Sequence, residues 1–216
     1  MFVGHFAVAL LAKRADPKIS LGTATFAATL ADLICFVFLI AGIESFALVP
    51  AVKFNRAIGE NIAWSHSLLM GIVWGAIFAT LYFFWRRYWR GAWILLALVI
   101  SHWVLDVISH RPDMQLAPGV PLKLGLGLWD SMPATLLVEF GLWLIAIVIY
   151  VRATRSKSTI GLLAFWIGIV ILTLIGLSNP AAGINPDPVK AGIGGLVVFG
   201  SAIAWAYWMN RARQQA

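Results

Sequence analysis

The chain has 216 residues, is 61% hydrophobic and only 12% charged, and carries a formal net charge of +7. A soluble domain is nearer half apolar and a quarter charged, so a soluble globular fold is excluded. The basic residues fall in short clusters between apolar runs, a pattern of membrane topology that excludes a nucleic-acid surface.

In chain order, Met1 to Ala12 is apolar, too short to span a bilayer, and carries Gly4 and His5. No basic segment precedes it, as a signal peptide requires, so it is expected to stay in the protein as a half-helix. Lys13 to Lys18 is a basic turn. Ser20 to Pro50 is a long run, apolar except for Asp32 and Glu44, with the lone Cys35 as a small core residue. Lys53 to Asn61 reads as a polar loop. Trp64 to Trp85 is the next span, opening on Ser65-His66-Ser67, and Arg86 to Arg90 is a basic turn. Ala92 to His110 spans, and Arg111 to Asp130 is a loop rich in Pro and Gly. Met132 to Val151 spans with Glu139 inside it. Arg152 to Ser158 is basic. Ile160 to Leu177 and Ala191 to Met209 span, joined by the loop Ser178 to Pro188.

This pattern predicts an all-α polytopic membrane helix bundle, with six spans and a short N-terminal re-entrant half-helix. It is expected to be one membrane domain, with residues 1–151 holding a site and 160–209 adding two packing helices. The glycines of the last two spans read as close-packing positions. Gly125-Leu126-Gly127 has neither the Lys nor the spacing of a phosphate loop.

Eleven of the sixteen Lys and Arg lie in the turns at Lys13, Arg86 and Arg152 and at the C-terminus. The positive-inside rule then places both termini in the cytoplasm. In that orientation the four histidines and the buried acids reach one side and one depth. Asp32 lies about 18 Å along its helix from Ser20, and His5 rises about 12 Å from the Lys13 turn. Charged groups inside spans are rare and are functional candidates by default. Taken singly, each has a plainer reading. Asp32 or Glu139 can bond a neighbouring helix. His66 can sit at the interface with Ser65 as helix cap, and Asp113 and Asp130 can be turn residues. Together they point to a site.

Its densest part is Ser101 to Asp113. His102, Asp106 and His110 recur every fourth residue, about 40° apart per step, so they stack on one helix face until Pro112 ends the helix near Arg111. Imidazole and carboxylate at that spacing can grip one cation or two neighbouring ones. Left unpaired in an apolar helix, they would be costly. Nitrogen and oxygen ligands without cysteine suit Zn²⁺, or Mn²⁺ and Fe²⁺, and not Ca²⁺.

The chain resembles the bacterial inner-membrane family of membrane-bound, metal-dependent hydrolases, the LexA-regulated hydrolase group, itself distantly similar to zinc-dependent phospholipase C. The resemblance rests on Gly4-His5, Asp32, Ser65-His66-Ser67, Ser101-His102-xxx-Asp106 with His110-Arg111-Pro112-Asp113, and Gly127 to Ser131 leading to Glu139. It implies metal ligation by His5, Asp32, His66, His102 and Asp106. One departure is that an acid or a His-Arg pair is expected just before Ser-His-Ser, where Ile62-Ala63-Trp64 stands.

The expected function is metal-dependent hydrolysis of a lipid-borne phosphoester, with a membrane lipid as substrate and one or two ions as cofactor. Asp106, Asp32 or Glu139, whichever does not ligate, would take a proton from water. Arg111 would hold a phosphate oxygen by a forked contact, and His110 would protonate the leaving group or orient a ligand. The alternatives are a metal-ion or proton-coupled transporter, whose acids line an ion path, and a non-catalytic bundle with polar packing. Against transport, no repeated halves are visible.

Overall fold

A computed structural model describes residues 1–48, 57–182 and 187–216. Two expected loops fall partly outside the described residues: Lys53–Asn61 at 53–56, and Ser178–Pro188 at 183–186.

The chain is an all-α polytopic helix bundle. In hydrocarbon each backbone N–H and C=O must be bonded within its own segment, and the apolar runs accordingly fold as helices. After the short α1 (Val3–Ala15) and α2 (Leu21–Ala28) come α3 (Leu30–Ile40), the single turn α4 (Ala63–His66), α5 (Leu68–Arg86) and α6 (Trp89–Ser109). The next span runs through α7 (Met132–Thr135), a π-helical turn at Leu136–Phe140, and α8 (Gly141–Ala153). It is followed by α9 (Thr159–Ala182) and α10 (Pro188–Ala212). Among the described residues, five stretches are long and apolar enough to cross a membrane, or six if α2 and α3 count as one broken span.

That break corrects the expectation of one run from Ser20 to Pro50. α2 and α3 meet at 55°. The Thr25 and Thr29 hydroxyls donate to the carbonyls of Leu21 and Thr25, at 2.9 and 2.8 Å. Such back-bonding competes with the helix ladder and bends it. Thr29 leaves helical geometry, at φ −112° and ψ 11°. The apolar helix then stops at Ile40, so Glu44 lies beyond it. β1 (Ser45–Leu48) follows and pairs antiparallel with β2 (Ala57–Asn61). The described part of the expected polar loop is therefore a strand.

Ser67, not Ser65, caps α5, accepting from the Met70 N–H at 3.3 Å. Asp187 caps α10 in the same way, with Pro188 in its first turn. The basic turns gather at one end of the bundle. There β3 (Thr154–Ser156) pairs with β4 (Arg213–Gln215), and the Tyr88 hydroxyl donates to Asp16 at 2.5 Å. That bond to the Asp16 carboxylate raises the Tyr88 hydroxyl above its ordinary pKa. One apolar cluster joins α1 to α8, α9 and α10, and another joins α1 and α2 to α5 and α6.

Candidate metal centre

Helix α6 supplies two buried groups one turn apart. His102 Nε2 lies 3.0 Å from Asp106 Oδ2. The other ring nitrogen of His102, Nδ1, donates to the Ala28 carbonyl at 2.8 Å, at the point where α2 ends. His5 of α1 stacks on His102, with ring centres 3.7 Å apart and planes 6° apart. Its Nε2 is 3.1 Å from Asp106 Oδ1. Asp32 stands in the first turn of α3, just past the bend, where a helix N-terminus favours a carboxylate. Its oxygens lie 3.5 Å from His66 Nε2 and 3.8 Å from His102 Nε2. His66 ends α4, and its Nε2 is 3.4 Å from His102 Nε2 and 3.8 Å from Asp106 Oδ2. The five residues that the resemblance implies as ligands thus come together. They form two overlapping donor sets, His5–Asp32–His102 and His66–His102–Asp106.

The outer nitrogens of His66 and His110 are engaged as well, whereas His5 Nδ1 is buried with no hydrogen-bond partner among the described residues. His66 Nδ1 is 2.7 Å from Ser65 Oγ, which is 2.6 Å from Glu44 Oε2. A carboxylate only accepts, so the hydroxyl donates to Glu44 and accepts from the imidazole. His110 Nδ1 is 3.0 Å from Asp113 Oδ1, and Asp113 also accepts from the Gly59 N–H at 3.0 Å. Three imidazoles therefore hold their Nδ1 protons on outer acceptors and leave the Nε2 lone pairs facing Asp106. A metal-binding histidine is commonly fixed in this manner.

The donor set fits a divalent ion. Around a tetrahedral ion with bonds near 2.1 Å, neighbouring donors sit about 3.4 Å apart. The separations of His66 and His102 from each other and from Asp32 and Asp106 run from 3.0 to 3.8 Å. Asp32 Oδ2 is buried and has no hydrogen-bond partner among the described residues, a state that a cation would relieve. The Met1 amino group also lies here, bonded to Asp106 and 3.0 Å from Ser109 Oγ.

A family model described as YdjM inner membrane protein matches residues 1–181, a stretch that holds every residue of this cluster. The chain belongs to the YdjM inner membrane protein family. No curated protein and no solved structure matches it. With its five or six apolar spans, this YdjM-family chain is a multi-pass inner-membrane protein.

The three residues expected to take catalytic roles are placed differently from one another. His110 is not on the helical stack. α6 ends at Ser109, His110 is extended at ψ 156°, and its Nε2 is 3.9 Å from Asp106 Oδ1. It still borders the cavity beside the cluster. Arg111 is absent from that lining, and its Nε pairs with Asp130 at 2.6 Å. A forked contact to phosphate would have to displace Asp130. Glu139 is buried in the π-helical turn, its Oε1 has no hydrogen-bond partner among the described residues, and it does not line the cavity.

In the sequence Glu44 carries no sign of this role, and Ser65 and Asp113 read only as a cap and a turn residue. Glu44 brings a carboxylate to Ser65 where Ile62-Ala63-Trp64 offers none, and it arrives from the other side of a hairpin. The signal present is a glutamate at the end of an apolar run. The cavity itself, about 470 Å³, is polar on the side of His5, Asp32, His66, Asp106 and His110. Its remaining wall is largely apolar and includes α10.

Proposed function

We propose that this YdjM-family protein is a metal-dependent hydrolase of a lipid-borne phosphoester. The observation that carries the reading is the set of Nε2 atoms turned toward Asp32 and Asp106 at the donor spacing of a tetrahedral ion. An apolar-walled cavity adjoins it. His66, His102, Asp32 and Asp106 would hold zinc, or manganese or iron, with His5 packed against His102. A divalent ion there supplies a Lewis acid that acidifies a bound water and polarises a phosphoryl oxygen.

The chain's own groups do the rest. With Asp32 and Asp106 taken as ligands, His110 Nε2 is the base that borders the cavity. It takes the proton of the attacking water as the new P–O bond forms, and Asp113 steadies the imidazolium. The same proton then passes to the leaving oxygen as its bond to phosphorus breaks. The basic end of the bundle faces the cytoplasm by the positive-inside rule, so the site opens toward the outer leaflet.

A carrier would need a polar route to the basic end. Toward that end the buried residues Ala24, Ala27, Leu95 and Val99 are apolar, and the buried Thr25 gives its hydroxyl to the Leu21 carbonyl, which favours the hydrolase over transport.

The test is elemental analysis of the purified protein beside turnover of long-chain phosphatidic acid. Zinc, manganese or iron should be retained, and His102→Ala should lose it. His110→Ala should keep the metal and lose turnover by about 10²–10⁴-fold. Turnover that survives in metal-free His102→Ala sinks the proposal.

A further inference from the structure

Helix α10 lies beyond the residues matched by the family model, yet it walls the cavity against the cluster. Ala191, Gly194, Gly195 and Val198 line it, at the spacing of one helix face. Across from them stand Phe36 and Leu39 of α3.

The two adjacent glycines do different things. At Gly195 an added Cβ would sit 2.5 Å from the Phe36 ring, so this glycine lets α10 approach α3. At Gly194 an added Cβ would meet nothing within 4 Å. Gly194 is exposed while lining the cavity, so the cavity opens beside it. Its neighbours Ile193 and Val197 are exposed apolar residues, the surface a lipid would touch. Gly194 lies about 9 Å along the axis from Pro188, at hydrocarbon depth rather than at the helix start. An apolar cavity therefore runs from a lipid-facing opening to a polar cluster, a shape complementary to one amphipathic molecule.

We propose that this α10 wall binds the hydrocarbon chain of a lipid whose headgroup reaches the cluster, and that the absent side chain at Gly194 sets which chains fit. The assignment rests on the reading of the cluster as a site for lipid-borne phosphoesters. It places selectivity for the chain on α10 and the chemistry on α1 to α6.

The experiment compares wild type with Gly194→Ala, Gly194→Leu and Gly200→Leu in the full-length protein. Gly200 is exposed, also has no neighbour for an added Cβ, and does not line the cavity. Long-chain phosphatidic acid retained through purification is measured by native mass spectrometry, with metal content on the same samples. Turnover is measured on that lipid and on p-nitrophenyl phosphate. Retention should fall in steps from wild type through Gly194→Ala to Gly194→Leu, by roughly 10-fold or more for the last. Metal content should hold, and Gly200→Leu should match wild type in retention, metal content and turnover of both esters. Equal retention in Gly194→Leu and Gly200→Leu overturns the assignment. Graded retention with no turnover of either ester by wild type supports the chain-binding wall and sinks the hydrolase reading instead.

Discussion

His66 is held through two residues in series. Its Nδ1 proton goes to Ser65 Oγ, and the Ser65 hydroxyl and N–H both go to Glu44, at 2.6 and 2.7 Å. Glu44 is buried, so removing its charge leaves the serine pair poorly satisfied and frees the imidazole to turn. Outer partners of this kind typically change metal affinity by about 10–100-fold when mutated. Glu44→Gln should weaken zinc binding by about that factor without unfolding the bundle, as read by competition with a chelator of known affinity. Unchanged affinity would remove Glu44 from any role at the site. In the sequence Glu44 has no local mark, because its partner lies 21 residues away across a hairpin. His102 and Asp106 are legible by contrast, since their partnership is a four-residue spacing on one helix.

Most spans are legible because length and apolarity alone require a helix in lipid. The bend at Thr29 is not, because hydropathy is similar on both sides of it. The hydroxyls of Thr25 and Thr29 cause it, and Asp32 reaches the cluster only through it. The loop after α6 is similar: Gly125 and Gly127 read as having no phosphate role, but their task is to clamp the helix end. The Gly127 N–H donates to the His110 carbonyl and the Leu126 N–H to that of Val107, each at 2.7 Å. A Cβ at Gly125 would lie 2.1 Å from the Arg111 carbonyl oxygen. Backbone cannot give way as a side chain does. Gly125→Ala should therefore cost about 1–3 kcal/mol, the range for overpacking, and should lower turnover by shifting His110. Gly141→Ala, in a helix with nothing near the added carbon, should be neutral or slightly stabilising. Equal melting temperatures for the two variants would show that the clamp does not matter.

At the scale of the whole bundle, His5, Asp32, His66, His102 and Asp106 come from four separate helices. Shared depth is visible in the sequence through topology. Convergence on one point is not, because most of these helices are apolar on nearly every face and periodicity does not orient them. Their meeting places two carboxylates and several imidazoles in a buried space, and such a set is destabilising until its charge is balanced. An ion that binds only the folded chain stabilises it by mass action, about 2.7 kcal/mol at a free concentration 100-fold above Kd. Stripping the purified protein with a chelator should therefore lower its melting temperature in detergent, and added zinc should restore it in proportion to its logarithm of concentration. Calcium should not, since a set rich in imidazole lacks the oxygens it requires. Helix content by far-ultraviolet circular dichroism should stay constant below the transition, because the spans are fixed by lipid or detergent rather than by the ion. His102→Ala should melt at one temperature with or without zinc. A wild-type protein that behaves like this variant would mean that the cluster is balanced by its own protons and holds no metal.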